Sequence, residues 1–243
     1  MYILGISCYY HDSSATLMKD GKIIAASQEE RFTRIKHDNS FPISAIKFCL
    51  DYEKIDISDI DMVGFYEKPL SKFERVLYQF LESFPKSFKL FLKVMPQWFN
   101  FKLKIIKTIR KKLKYEKDIL FIKHHLSHAA NFFQSSFDKA AIVTSDGVGE
   151  WTTTAYGYGE NNRINLLEEI KFPSSLGLFY STITAYLGFR VNNSEYKVMG
   201  LASYGNQNKK TNKYFRLLKK IINIKPDGSY NLDMSFFEFH FKE

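Results

Sequence analysis

Apolar and polar positions along this chain repeat one plan twice. Residues 2–8, 14–19 and 22–28 are three short β-prone runs, and Asp20-Gly21 stands between the second and third. Asp-Gly between alternating residues signals a two-residue hairpin turn, whose central positions need positive φ. The opening therefore reads as a β-meander. Pro42 is placed to open a helix with an apolar face of Ile43, Ile46, Phe48 and Leu50, and residues 62–66 form a further strand. From 71 to 114 the period turns helical, with aromatics and leucines on one side and lysines on the other. Pro85 and Pro96 are expected to divide this stretch into separate helices, because an internal proline removes a donor and crowds the preceding turn. A short strand at 119–122 leads to a histidine-rich helix start at His124.

The second run begins at Ala140. AAIVTSDGVGE is an apolar strand ending in a glycine-bearing turn, TTTAYGYG alternates like a strand, residues 160–162 turn, and 164–171 return as a strand before a helix at 176–187. Strand, polar turn, strand, hairpin, strand and helix thus occur twice. Such duplication marks sugar-kinase, chaperone and actin-like ATPases, in which two turns face each other across a nucleotide's phosphates. The expected fold class is α/β, an actin-like ATPase (ribonuclease-H-like) fold of duplicated βββαβα units. Residues 1–138 form the first subdomain, with a basic helical insertion at about 71–114, and 139–243 begin the second. After GLASYG come a basic helix at 209–222 and the start of a β-hairpin in PDGSYNLDMSFFEFHFKE, so the second unit is expected to be incomplete.

Charge changes the picture only once it is located. The net charge is +9, and residues 71–123 hold 14 Lys/Arg against 4 Asp/Glu, so the basicity belongs to that segment. A basic patch attracts nucleic acid, anionic lipid or phosphorylated substrates; the plain alternative is a solvated face on lysine-rich helices. With 45% hydrophobic and 16% aromatic residues the composition is globular. Cys8 and Cys49 show neither metal-ligand spacing nor a secreted disulfide pattern. MYILGISCYY has no basic region before its apolar stretch, and the apolar run 177–189 is short and broken by Ser181, Thr182 and Thr184. A cytoplasmic protein without a membrane span is expected.

Four segments carry candidate chemistry. In HHLSH, His124 and His128 are four apart, so a helix presents both on one face, where they can share a metal ion. An exposed or core-satisfied pair is the alternative; His125 lies off that face and reads as structural. In SDGVGE, Asp146 at a strand end can complete a two-His, one-carboxylate set, while Gly147 and Gly149 let backbone N–H groups approach phosphate oxygens; an ordinary turn competes. In YYHDSSA, His11 is suited to act as general base toward a hydroxyl, because its unperturbed pKa lies near neutrality. Asp12 can orient it or touch metal-bound water, and a capped turn is the rival. In QEERFTRIKHD, Arg31, Arg34 and Lys36 suit an anion, against a solvated charged loop. Two weaker stretches are EYKVMGLASYG, which supplies Lys197, and FPSSLG, a helix start able to hold an anion.

Taken in order, these segments resemble one family. GISCYYHDSSATLMKDGKIIAASQEERFTRIKHDNSFP, HHLSHAANFFQSSF, TSDGVGEWTTTAYG, FPSSLGLFYSTITAYLGF and EYKVMGLASYG look like its successive blocks, from Met1 to about residue 205. The family is the O-carbamoyltransferases that decorate nodulation factors, cephems and aminoglycosides. The resemblance is to the N-terminal part of the actin-like domain and is weakest at 71–114. It implies a two-part enzyme in which carbamoyl phosphate is activated with ATP, and the carbamoyl adenylate then meets an acceptor hydroxyl of a small molecule or sugar in the actin-like domain. It further implies His124, His128 and Asp146 as ligands of a divalent metal of the Fe(II) type acting as Lewis acid. His11 is the implied base with Asp12 beside it, and Lys36, Gly147, Gly149 and Lys197 are implied contacts to the adenylate.

The sequence departs from the family at its later part. The resemblance implies a fourth metal ligand, an Asp, an adenosine-binding segment and an activating domain, and these are expected to be missing from residues 1–243. On this reading the chain alone does not catalyse the full reaction, and a second chain is a candidate partner to supply the rest. One rival is a tRNA threonylcarbamoyltransferase-like protein whose basic helices bind RNA phosphates; the YYHDSSA and QEERFTRIKHD blocks fit the small-molecule branch better, and nucleic acid is not expected as a partner. The other rival is a non-catalytic interaction remnant of the fold.

Overall fold

The computed structural model describes residues 1–239. Within the chain, contacts define two compact units: Met1–Phe73 with Leu92–Ser127, and Glu74–Phe91 with the chain from His128 onward.

In the first unit the strands β1 (Tyr2–Ser7), β2 (Ser14–Lys19) and β3 (Lys22–Gln28) pair antiparallel. The turn between β2 and β3 has positive φ at both Asp20 (49°) and Gly21 (81°), as the Asp-Gly pair demands. β4 (Met62–Phe65) joins parallel to β1, and β5 (Asp118–Phe121) parallel to β4, giving the order β3-β2-β1-β4-β5. Three antiparallel strands, with parallel strands added beyond the first through helical crossovers, make the ribonuclease-H-like arrangement. The actin-like α/β class read from the sequence is therefore the class observed. Leu4, Leu17, Ile46, Ile60, Val63 and Ile109 are at most 2% exposed, and burying such a side chain contributes roughly 1.5–3 kcal/mol.

Helices complete this unit. α1 (Glu30–Thr33) is one turn. α2 (Ile43–Glu53) covers the sheet with Ala45, Ile46 and Cys49, whereas Ile43 and Phe48 are 44% and 40% exposed. The expected apolar face was thus rotated, because the small Ala45 and Cys49 let the helix settle onto the strand backbone. Cys49 Sγ lies 3.7 Å from the carbonyl oxygens of both Ala15 and Ala25. The buried Glu29 carboxylate accepts the N–H groups of Ser44 (3.0 Å) and Ala45 (2.8 Å), two amides that a helix start leaves unsatisfied.

The basic stretch forms α3 (Pro69–Glu82), α4 (Phe88–Asn100) and α5 (Ile105–Leu113). Pro85 separates the first two as expected, but Pro96 lies inside α4 and the chain breaks instead at 101–104. Pro96 is on the exposed side, where water can take the carbonyl that a proline leaves unpaired. Nor are the faces cleanly sorted: Trp98 is buried, while Leu92, Phe99 and Phe101 are more than half exposed.

The second unit holds β6 (Lys139–Ser145), β7 (Thr152–Glu160) and β8 (Arg163–Lys171) in an antiparallel sheet. α6 (His124–Ala129) precedes them, and the helices α7 (Leu176–Tyr186), α8 (Glu195–Ala202) and α9 (Lys213–Lys219) follow, with a two-stranded hairpin of β9 (Ile222–Ile224) and β10 (Tyr230–Leu232). Three strands and a helix thus recur, and among the described residues no parallel strand joins the second sheet. The basic helix expected at 209–222 is shorter, ending before β9. Tyr230 ties the hairpin down: its hydroxyl lies 2.9 Å from Thr154 Oγ1 and accepts from Leu176 N at 3.3 Å. Residues 240–243 of the expected terminal hairpin lie outside the described residues. Among the described residues no helix is long and apolar enough to cross a membrane.

Candidate functional site

Two loops of the first unit build one constellation. The β1–β2 turn carries Tyr9, Tyr10, His11, Asp12 and Ser13, and the loop after α1 carries Lys36, His37 and Asp38. Backbone pairs pin the loops together: Tyr9 N donates to Asn39 O (2.9 Å) and Ser13 N to Asp38 O (2.8 Å). The buried Asp38 carboxylate holds the second loop in shape, accepting Ser40 N at 2.8 Å and Thr33 Oγ1 at 2.7 Å. Tyr9, Asp12, Arg34 and His37 all have left-handed φ, between 49° and 68°. For residues with a Cβ that conformation costs roughly 1–2 kcal/mol each, so the surrounding bonds must impose it.

Asp12 sits between two imidazoles. Its Oδ2 lies 2.8 Å from His11 Nδ1 and its Oδ1 2.9 Å from His37 Nδ1. Partial burial raises the Asp12 carboxyl, but the hydrogen bonds from His37 and His11 outweigh it and hold the group below the usual carboxylate range. An ionised carboxylate only accepts, so both Nδ1 atoms must donate. In a neutral ring His11 Nε2 then carries the lone pair, on a side chain 45% exposed. Positive charge gathers nearby: Lys72 Nζ and Lys102 Nζ lie 5.2 and 5.9 Å from the Tyr10 ring centre, and the Tyr10 and His11 rings are 4.5 Å apart. Lys72 pairs with Glu67, both buried. Burial, then the Glu67 charge, push the Tyr66 phenol up, so it stays protonated. Cys8 is no nucleophile, because burial pushes its thiol up too.

A second constellation centres on α6 and the turn after β6. His128 Nε2 stands 3.5 Å from Asp146 Oδ2, both side chains partly exposed. The other oxygen of Asp146 accepts Gly147 N at 2.7 Å, which fixes the plane of the carboxylate. The turn rests on the start of α7: Ser175 Oγ donates to the carbonyls of Gly147 (2.7 Å) and Asp146 (3.1 Å). A Cβ on Gly177 would come within 2.6 Å of the Asp146–Gly147 backbone, so only glycine allows this seat. His124 opens α6, one turn before His128, and i, i+4 neighbours share a helix face. His128 and Asp146 bring together an imidazole and a carboxylate, donor types that fit a divalent transition metal. His125 is buried, its ring 5.9 Å from that of His124.

The remaining sequence candidates are placed as follows. Lys36 is exposed on the loop of His37, in the first unit. The Gly147 and Gly149 amides donate within their own turn, to Asp146 Oδ1 and to Thr152 O. Lys197 is exposed on α8, its Nζ 6.0 Å from the Tyr196 ring centre. Residues 195–205 contain a helix the sequence did not announce, begun by Glu195, whose carboxylate accepts the N–H groups of Asn192, Asn193 and Ser194. At the start of α7, Leu176 N donates to Tyr230 and Leu178 N to Ser175 Oγ. Sequence reasoning missed His37, which lies 25 residues from Asp12 in a loop without periodicity. Its one signal was a histidine beside charged residues just ahead of Phe41-Pro42.

Comparison with known proteins adds the following. The model of the carbamoyltransferase N-terminus matches residues 2–242. An uncharacterised protein of Synechocystis is 48% identical over 249 residues, 98% of this chain and 40% of that protein. The nodulation protein NolNO of Sinorhizobium fredii is 36% identical over 203 residues, 81% of this chain and 28% of that protein. The chain therefore spans 40% or less of the length of these relatives. Among solved structures, YeaZ from Pseudomonas aeruginosa aligns with a TM-score of 0.39 at 11% identity, over 72% of this chain and 70% of that one. The activator of 2-hydroxyisocaproyl-CoA dehydratase from Clostridium difficile, with bound ADPNP, aligns with 0.42 at 15% identity, over 86% and 58%.

Proposed function

The chain belongs to the carbamoyltransferase family, and from that premise we propose that it carries the transfer chemistry of an O-carbamoyltransferase. Carbamoyl phosphate, water and ATP supply carbamoyl adenylate with release of phosphate and pyrophosphate, and an acceptor hydroxyl of a small molecule or sugar takes the carbamoyl group. The observation that carries the reading is His11 Nδ1 held 2.8 Å from Asp12 Oδ2 on a side chain that is exposed.

In this reading the acceptor oxygen attacks the carbamoyl carbon and gives its proton to His11 Nε2. The bond from that carbon to the phosphate oxygen breaks, and AMP leaves. Asp12 keeps the imidazole in the accepting tautomer and steadies the imidazolium that forms, the role a carboxylate plays beside any histidine base. Lys36, Gly147, Gly149 and Lys197 are the proposed contacts to the adenylate, and Lys102 beside Tyr10 supports an anionic ligand near His11. His124, His128 and Asp146 would hold a divalent metal, Fe(II) being the proposed ion. When bound, it would polarise the carbamoyl group or its phosphate as a Lewis acid. A first subdomain at 1–138 with its basic insertion, a second from 139, and a cytoplasmic location belong to the same proposal. Relatives named as nodulation proteins support a small-molecule acceptor over tRNA.

The test supplies the protein with preformed carbamoyl adenylate and a panel of hydroxyl-bearing sugars, and follows AMP and carbamoylated product. Formation of an O-carbamoyl ester that depends on the adenylate is the expected result. Tight tRNA binding that weakens steeply with salt, without carbamoylation of any sugar, would replace the reading with the tRNA-modifying one.

A further inference from the structure

Asp12 has two carboxylate oxygens, and the proposed base uses only one of them. The other is taken by His37 Nδ1 at 2.9 Å. We infer that His37 is a positioning residue for carbamoyl transfer, locking the Asp12 carboxylate so that its second oxygen stays aimed at His11 Nδ1. This rests on the reading of His11 as the base. A carboxylate held on one side only can rotate about its last bond and turn either oxygen to water or to His11. Two donors from opposite sides remove that freedom, and with it the choice of tautomer at His11.

The loop is built for this. His37 N donates to Glu30 Oε2 at 2.7 Å, and the pins from Tyr9 and Ser13 to Asn39 and Asp38 hold the loop against the turn that bears Asp12. Both Asp12 and His37 adopt left-handed backbone, with φ of 49° and 58°. His37 Nε2 is buried without a hydrogen-bond partner, so the hydrogen bond of the ring is the one to Asp12. Donor atoms of Asp12, Glu30 and His37 do lie within 4.8 Å of one another. A cation there would have to displace the two Nδ1–H bonds on Asp12 and the His37 N–H on Glu30, so the cluster is a hydrogen-bonded clamp rather than a metal site.

Two substitutions separate positioning from mere loop structure, because glycine and asparagine both tolerate positive φ. His37→Asn keeps an N–H about where Nδ1 stands; His37→Gly removes it. With wild-type melting behaviour confirmed for both, His37→Gly is expected to lower kcat by about 10–100-fold, the usual cost of losing a residue that orients a functional side chain. KM for carbamoyl adenylate and acceptor should stay within about 3-fold, and His37→Asn should retain kcat within the same margin. Nitrogen NMR of the histidines gives a readout independent of turnover. His11 should be Nδ1-protonated in the wild type and in His37→Asn, and a tautomer mixture in His37→Gly. An unchanged tautomer and kcat in His37→Gly, or equal losses in both variants, would overturn the assignment. So would a bound divalent cation that His37→Gly releases. If the wild-type protein transfers no carbamoyl group, the proposed function fails, and the nitrogen spectra still decide whether His37 fixes His11.

Discussion

Alanine in place of His128 is expected to abolish the proposed binding of a divalent metal and to lower the proposed carbamoyl transfer by about 10³-fold. The geometry behind this is local. Asp146 is immobilised by its own turn, with Oδ1 on Gly147 N and Oδ2 turned to His128 Nε2 at 3.5 Å. The turn in turn is seated on α7 through Ser175 and Gly177. Removing the imidazole takes away one of the three proposed ligands and leaves the carboxylate in place, so affinity should fall about 100-fold. A bound divalent ion contributes several kcal/mol to stabilising developing charge, which converts to the expected loss in rate. Elemental analysis of protein purified in parallel reads the first effect and turnover the second. Full metal content in His128→Ala would remove this residue from the ligand set whatever the activity did.

The second large effect is on stability. Lys72 and Glu67 are 6% and 4% exposed and paired, and removing one partner of a buried pair strands the other charge. Lys72→Met should cost about 3–5 kcal/mol, seen calorimetrically as a fall in melting temperature of roughly 10 °C for a chain of this size. Adding Glu67→Leu should recover most of it, to within about 1 kcal/mol, because two apolar side chains of similar volume need no pairing. A single variant as stable as the wild type, or a double variant no better than the single, would show that the ion pair does not carry this stability.

What the sequence revealed follows the range over which each feature is determined. The Asp20-Gly21 hairpin was legible because two adjacent residues dictate their own φ values. The shared helix face of His124 and His128 was legible for a similar reason, since spacing alone decides it. The face of α2 was not, because close approach to the carbonyls of Ala15 and Ala25 selects Ala45 and Cys49 over the bulkier Ile43 and Phe48. Pro96 stayed inside α4 where solvent can satisfy the freed carbonyl, a condition invisible without the exposure of that turn. At the candidate site, His11 and Asp12 are neighbours and were read together. His37 joins them only through a loop closed by Tyr9–Asn39 and Ser13–Asp38 backbone bonds. No period or motif specifies such a contact; it emerges when two irregular segments are folded against one sheet end.

The most direct measurement follows transfer from preformed carbamoyl adenylate in His11→Ala. Binding of the adenylate with no acceptor present should remain as in the wild type. Carbamoylated product should fall by about 10²–10⁴-fold, the usual contribution of a general base. A His11→Ala protein that still forms product at the wild-type rate would contradict the account, for then the proton of the acceptor hydroxyl leaves by another route and the His11–Asp12–His37 constellation serves some other purpose.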